Sequence, residues 1–304
     1  MSGTDDLDLD LDLDIGMRSG LGTGFGPRVN TDAFPRLMPA NPAPKWPKKK
    51  YDAAWDPEMR AWAYVQEFIK VPNWAKDPIH DVMKAYASQS AFPVPPLSGP
   101  PPGSLNNEIR KQIVGVLNAS IDRADRTLEI LDQASGQGAL HYWTGLLRVE
   151  PSKGSAAYLL MLIARKIGEY VSMGLKNQYL MRRPAQVYPW IMPLIDGPDT
   201  PSFPSGHSLQ AHMISGALKL ALATEVPPLP NPQPVPYPET ARALDVLAAR
   251  VAYNREVAGV HYNMDSMAGE YGARICLQKL YRLGTNSAFK TLVREAKKEL
   301  ADLA

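Results

Sequence analysis

Residues 104–134 read SLNNEIRKQIVGVLNASIDRADRTLEILDQA. Within it Ile109, Ile113, Val116, Leu117, Ile121, Leu128 and Leu131 recur at the three-, four- and seven-residue spacings of one helix face. The stretch predicts one amphipathic helix over 104–134. Working outward, the same period predicts helices over 57–70, 77–90, 137–148, 154–181, 206–224, 238–258, 262–283 and 287–302. Two proline-rich tracts, 92–103 and 226–238, interrupt the pattern and read as semi-rigid connectors, because proline lacks a donor and breaks helices. Past the N-terminal tract there is no alternating strand pattern, and no repeat of about 20–50 residues. The expected fold class is all-α, a helical bundle joined by short or proline-locked links.

The N-terminal 55 residues break from this pattern. Residues 5–15 read DDLDLDLDLDI, and residues 16–55 are rich in Gly, Pro and Asn without a period. Leu7, Leu9, Leu11, Leu13 and Ile15 alternate with aspartates as in a strand, but one strand without a partner is not stable alone. The tract reads as an acidic tail, or as an arm that pairs with another subunit. Residues 1–55 are therefore expected to form an extended arm, and residues 56–304 one all-α catalytic domain. The arm makes a homo-oligomer, a dimer by default, the expectation. The N-terminus has neither the basic nor the apolar region of a secretory leader, and no stretch is apolar over the roughly 20 residues a bilayer span needs. The expectation is a cytoplasmic protein without a membrane span.

Composition narrows the partners. The 304 residues carry 33 basic and 31 acidic side chains, a formal charge of +2. That balance excludes a dominant polyanion-binding surface, so no nucleic-acid partner is expected, and the run Lys48-Lys49-Lys50 reads as solvated. A single cysteine, Cys276, excludes a disulfide framework and a cysteine-rich zinc site.

Three segments carry chemistry. The first runs from Lys176 to Arg183-Pro184, the second is Pro201-Ser-Phe-Pro204-Ser205-Gly206-His207, and the third runs from Asn254-Arg255 to His261 and Asp265. Lys176 and Arg183 are seven apart, nearly two turns, and read as one face of a helix that Pro184 ends. With Arg255 they supply three cations, whose convergence requires an anion; arginine's planar fork suits phosphate-like oxygens. Pro204-Ser205-Gly206-His207 reads as a turn feeding a helix. There glycine permits close backbone approach and the first amides point outward as donors, with the Ser205 hydroxyl beside them. His261 and Asp265, four apart, read as sharing a helical face, where the carboxylate fixes the imidazole tautomer and raises its basicity. Such a histidine suits a nucleophile or a ligand to an electrophilic centre, leaving His207 as general acid or base.

Taken together, these segments resemble the three-part signature of the superfamily of type 2 phosphatidic acid phosphatases and vanadium haloperoxidases: K-x6-RP, then PSGH, then SR-x5-H-x3-D. Lys176, Arg183, Pro184, Pro204, Ser205, Gly206, His207, Arg255, His261 and Asp265 match, over residues 176–265. Asn254 departs from the pattern, standing where the family usually has Ser, which bears on the packing around Arg255. The resemblance implies a helical bundle with the site at one end. It implies that Lys176, Arg183, Arg255, Ser205 and the Gly206 amide hold an oxyanion, that His261 is the apical group oriented by Asp265, and that His207 is the acid/base. In the haloperoxidase branch the resemblance implies vanadate as cofactor, with His261 as its protein ligand, and hydrogen peroxide and halide as substrates. In the phosphatase branch it implies a phosphate ester, hydrolysed through a phosphohistidine, and no cofactor. The haloperoxidase branch is the expectation taken forward, with a soluble acid phosphatase as the alternative.

The remaining residues of note have plainer readings. His212 is a core or supporting histidine, and His80 and His141 are structural. Tyr142, Trp143, Tyr188 and Trp190 read as core or pocket wall. Trp190 and Phe203, between the first two segments, are placed to shape substrate access. Met161, Met173, Met181 and Met213 read as packing on apolar helical faces.

Overall fold

The computed structural model describes residues 55–71, 74–88, 107–134, 139–223, 238–283 and 287–303. All of them belong to one compact unit within 47–304. The acidic tract 5–15, the lysine run 48–50 and nearly all of both proline-rich tracts lie outside the described residues, as does the expected arm. The helices are α1 (Pro57–Ile69), α2 (Pro78–Ala87), α3 (Asn107–Ala119), α4 (Arg123–Gln133), α5 (Leu140–Leu147), α6 (Ala156–Tyr179), α7 (Pro184–Val187), α8 (Gly206–Leu222), α9 (Pro238–Val257), α10 (Asn263–Tyr281) and α11 (Ala288–Leu303). No strand occurs among the described residues, so the fold is all-α. No helix among them is long and apolar enough to cross a membrane.

Local signals set the helix starts. Asp56 and Asp77 each cap a helix that opens on proline, accepting from Glu58 N at 2.9 Å and His80 N at 2.8 Å. Ser155 caps α6, and Glu299 of α11 adds a carboxylate there, accepting from Ala156 N at 2.7 Å and Ala157 N at 3.0 Å. A negative charge at a helix N-terminus complements the backbone dipoles.

α8 is the axis of the bundle. It packs against α6, α9, α10 and α11, while α1 and α2 flank α6 and α3 and α4 flank α9. Its sequence explains why: Leu209 and Met213 on one face, and Leu218 and Ala221 on the far side, are all fully buried. A helix with apolar residues buried on opposite sides belongs in a core. Each such large side chain contributes roughly 1.5–3 kcal/mol relative to exposure.

Three expectations need correction. First, the helix predicted over 104–134 is broken. Residues Ser120–Asp122 tighten into a 3-10 turn, with Ser120 Oγ donating to Leu117 O at 2.7 Å. Three residues at 120° rather than 100° each rotate the following helix by about 60°. The stripe therefore does not continue: Ile109, Ile113 and Val116 are buried, but Ile121 is 79 % and Leu128 84 % exposed. α4 buries Ile130 and Gln133 instead. Second, Met173 stands half-exposed on α6, whereas Met161, Met181 and Met213 are buried. Third, Phe203 does not face an entrance. It is buried edge-on against Tyr179 and Tyr86, with ring centroids 4.8 and 5.8 Å apart. Trp143 is core, donating to Ser215 Oγ at 2.8 Å, while Trp190 is 76 % exposed. His212 is a supporting residue as expected, its Nδ1 2.8 Å from Ser208 O.

Candidate active site

Lys176 lies in the last turn of α6. The helix then ends: Leu180 takes a left-handed conformation (φ 48°) and its N–H donates to Lys176 O at 3.0 Å. Arg183 is thus not on the same helix face as Lys176, as the seven-residue spacing suggested. It is extended (φ −72°, ψ 158°) and caps α7, which Pro184 opens rather than ends. The residue before proline is driven to this conformation, and proline is well tolerated at a first helical position. The two cations nevertheless converge, because both reach the loop that carries the second segment. Lys176 Nζ donates to Pro201 O, and to Ser202 O at 2.9 Å. Arg183 Nε donates to Thr200 O at 2.9 Å, and Nη2 to Thr200 Oγ1 at 3.2 Å.

That loop passes through a cis Phe203–Pro204 peptide and ends at Ser205, whose side chain caps α8 by accepting from Ser208 N at 3.3 Å. Gly206 and His207 form the first turn of α8, both partly exposed. α10 comes close here because Gly269 has no side chain. A Cβ on it would meet Ser205 O at 2.8 Å and Ser208 Cβ at 2.7 Å.

Arg255 arrives on the last turn of α9. The chain leaves that helix through Gly259, whose φ of 82° suits glycine, and reaches His261 in the bend before α10. His261 and Asp265 are therefore not on one helical face; Asp265 is the third residue of α10 and turns back toward the bend. Its Oδ2 accepts from Ser202 Oγ at 2.5 Å and Tyr262 N at 3.0 Å, and faces His261 Nδ1 at 2.9 Å. An ionised carboxylate only accepts, so Nδ1 carries the proton and Nε2 keeps its lone pair. The other side of the ring agrees: Arg183 Nη1, which only donates, is 3.3 Å from Nε2.

The electrostatics follow from burial. Lys176, Arg183, Arg255, Ser205, His261 and Asp265 are all buried. The cluster holds three cations against the Asp265 carboxylate, with the positive charges of Lys176, Arg183 and Arg255 bearing on both histidines. Burial, then Arg183, pulls Lys176 down from the usual lysine value. Burial lowers Arg255 to about 10. His207 is lowered to about 4 by burial and then by Arg255. His261 falls well below the ordinary imidazole value through burial and the cations. Burial raises Asp265, against the pull of Ser202 and the Tyr262 amide.

The structure thus brings together all eight residues singled out in the sequence. It adds three that sequence reasoning gave no role. Ser202 bonds Asp265, as above. Arg123 clips the site's loops together, donating to Val257 O at 2.9 Å, Met192 O at 2.8 Å and Ile191 O at 3.1 Å. Gln133 accepts from Arg255 Nη2 at 3.2 Å and Asn254 Nδ2 at 3.1 Å, and its main-chain oxygen is 3.1 Å from His207 Nε2. Only Ser202 sat inside a noted segment; Arg123 and Gln133 lie on a helix whose period marked nothing but packing.

The donor set fits a dianionic oxyanion. Among the described residues the cations of the cluster outnumber its carboxylate, and Arg255 Nε is buried with no partner. Such a donor is costly unless an acceptor joins it. The chain matches no model of a known protein family, and a search of curated proteins finds no match.

Proposed function

We propose that this chain is a vanadate-dependent haloperoxidase, using hydrogen peroxide to oxidise halide to hypohalous acid. One observation carries the reading. His261 Nε2 holds its lone pair, by virtue of Asp265, inside a buried cluster of three cations. Lys176, Arg183, Arg255, Ser205 and the Gly206 amide would hold the oxyanion's oxygens, and His261 Nε2 its central atom. Bound vanadate supplies the electrophilic centre at which peroxide is activated toward halide. The chain's own part is to hold, orient and move protons. The cations offset charge on the oxyanion oxygens in a water-poor site, where such interactions are strong. His207 exchanges protons at Nδ1, since its Nε2 is directed at a carbonyl. Burial and then the cations depress His207; a bound dianion offsets the cations and so raises it toward the range where proton exchange is effective. Deep burial favours this reading, because a retained inorganic ion with small reactants needs no wide channel.

A second reading, hydrolysis of phosphate monoesters, is favoured by a cavity of about 410 Å³ bordered by Arg183, Thr200 and Val260, with Leu180 and Pro193 on its walls. It has room for an organic group beside the cluster. Here His261 Nε2 attacks phosphorus and the P–O bond to the alcohol breaks. His207 gives its proton to the leaving alkoxide. Water, deprotonated by His207, then displaces phosphate from His261. One metal-free preparation separates the two readings, assayed in parallel for aryl phosphate hydrolysis and for peroxide-dependent bromination after orthovanadate is added. Bromination requiring vanadate and suppressed by phosphate is the expected result. Ester hydrolysis inhibited by vanadate, with little bromination, selects the phosphatase. If neither activity appears and His261→Ala changes nothing, both readings fall.

A further inference from the structure

Gln133 ends α4, outside all three segments, and its side chain is completely buried. Both lone pairs of its Oε1 are used, by Asn254 Nδ2 and Arg255 Nη2. Its Nε2 donates to Glu129 Oε1 at 3.0 Å. Donor-only arginines fix the orientation of each amide in this chain of bonds. Arg255 requires the oxygen of Gln133 to face it. Arg126 Nη1 donates to Asn254 Oδ1 at 2.9 Å, which turns Asn254 Nδ2 toward Gln133. On the outer side Glu129 receives Arg250 through Nε at 2.8 Å and Nη2 at 2.6 Å. Asn254, the one departure from the signature, thus reaches a partner that links it to Arg255.

We propose that Gln133 is the positioning residue of the oxyanion site, aiming the Nε–H edge of Arg255 at the anion and holding the proton of His207 on Nε2. The proposal rests on the oxyanion reading above. Among the described residues Arg255 bonds the protein through Nη2 alone, to Ile130 O and Gln133 Oε1, so these two acceptors set the plane of the guanidinium. With Nη2 held, Nε is left buried and unpartnered among the described residues. The main-chain oxygen of Gln133 can only accept, so the facing Nε2 of His207 bears hydrogen. A neutral amide suits the position. It orients the guanidinium without cancelling its charge, whereas a carboxylate would pair with Arg255 and compete with the anion. Lys176, Arg183 and Arg255 are the charges that bear on His207, and Glu129 is the acid that bears on Arg255.

The test uses the full chain with orthovanadate as the calorimetric probe, and ring-nitrogen NMR of histidine-labelled protein. Gln133→Glu keeps the shape and adds charge; Gln133→Met keeps the bulk and removes the acceptor. Both are expected to bind vanadate about tenfold more weakly or worse, the scale of one charge-assisted hydrogen bond. The main-chain oxygen of Gln133 survives both substitutions, so His207 is expected as the single Nε2–H tautomer in the wild type and in both variants. A purely structural role would lower the melting temperature but leave vanadate affinity unchanged. Vanadate affinities within twofold of wild type in both variants, or a wild-type His207 protonated at Nδ1 instead, overturn the proposal. If Gln133→Met does not fold, Gln133→Glu decides by affinity alone. If the wild type binds no vanadate, the oxyanion reading falls separately, and the tautomer of the wild-type His207 still decides whether the main-chain oxygen of Gln133 holds its proton.

Discussion

Asp265 gathers three donors on one oxygen, and the chemistry of His261 depends on that oxygen accepting all of them. Asparagine at the same place cannot do so in both orientations. If its oxygen replaces Oδ2 the charge is lost; if its amide turns, donor meets donor at Tyr262 N. Asp265→Asn is therefore expected to lower vanadate affinity and turnover by roughly 10–100-fold, the range for a residue that orients a ligating histidine. Ser202→Ala removes one donor of three and is expected to cost about tenfold. Circular dichroism unchanged from wild type, alongside full activity in both variants, would reject the role given to this carboxylate. At this scale the sequence was informative where residues react and silent where they support. The spacing from His261 to Asp265 suggested their pairing, though through a helix face and not through the turn that makes it. Ser202 was in view but unassigned, because a serine near a proline turn has many uses. Gln133 gave no signal, since a glutamine at a helix end is ordinarily solvated.

Helix contacts carry the next level of constraint. α8 presents Ser205 and Gly206 to the site only because α10 lies against its first turn, and that closeness is set by Gly269. Adding a methyl there places it 2.8 Å from both Ser205 O and Leu209 N, backbone atoms that cannot move aside singly. Gly269→Ala is expected to destabilise the fold by about 1–3 kcal/mol through overpacking, and to weaken oxyanion binding as the first turn of α8 shifts. Gly115 is the contrast: it is exposed in the middle of α3 with nothing within 4 Å of a new Cβ. Gly115→Ala is expected to stabilise by about 0.5–1 kcal/mol and to leave vanadate binding alone. Thermal melts with calorimetric titration check both; equal melting temperatures for the pair would remove the close-approach argument. The helices themselves were legible because apolar residues recur at helical spacing from Pro57 onward, broken by the proline-rich tracts. The break at residues Ser120–Asp122 was not, because the apolar spacing runs through it unchanged and only tertiary contact reveals which residues turn inward.

Across the whole molecule, the buried cations tie stability to pH and to anions. His207 is depressed in the fold to about 4 from an ordinary 6.5, so below 6.5 the unfolded chain binds more protons. Stability from this group is complete above pH 6.5 and is lost as pH falls toward 4, by at most about 3 kcal/mol. His261, also depressed, acts in the same direction. Asp265, raised by burial, opposes them in the acid range, because the folded form then holds the extra proton. A dianion offsets Lys176, Arg183 and Arg255 and lifts His207 back, so it should both stabilise the fold and flatten this acid limb. At a phosphate concentration of 100 times Kd the gain is about 2.7 kcal/mol, or roughly 5–10 °C for a body of this size. The melting temperature of the full chain is therefore expected to climb from pH 4 to pH 6.5 without oxyanion. It is expected to climb less with phosphate, while sulfate-free chloride at equal ionic strength reproduces neither change. A curve that is flat without phosphate, or shifted equally by chloride, would mean that the three cations are offset within the protein. The imbalance of charge from which the oxyanion site was argued would then be gone.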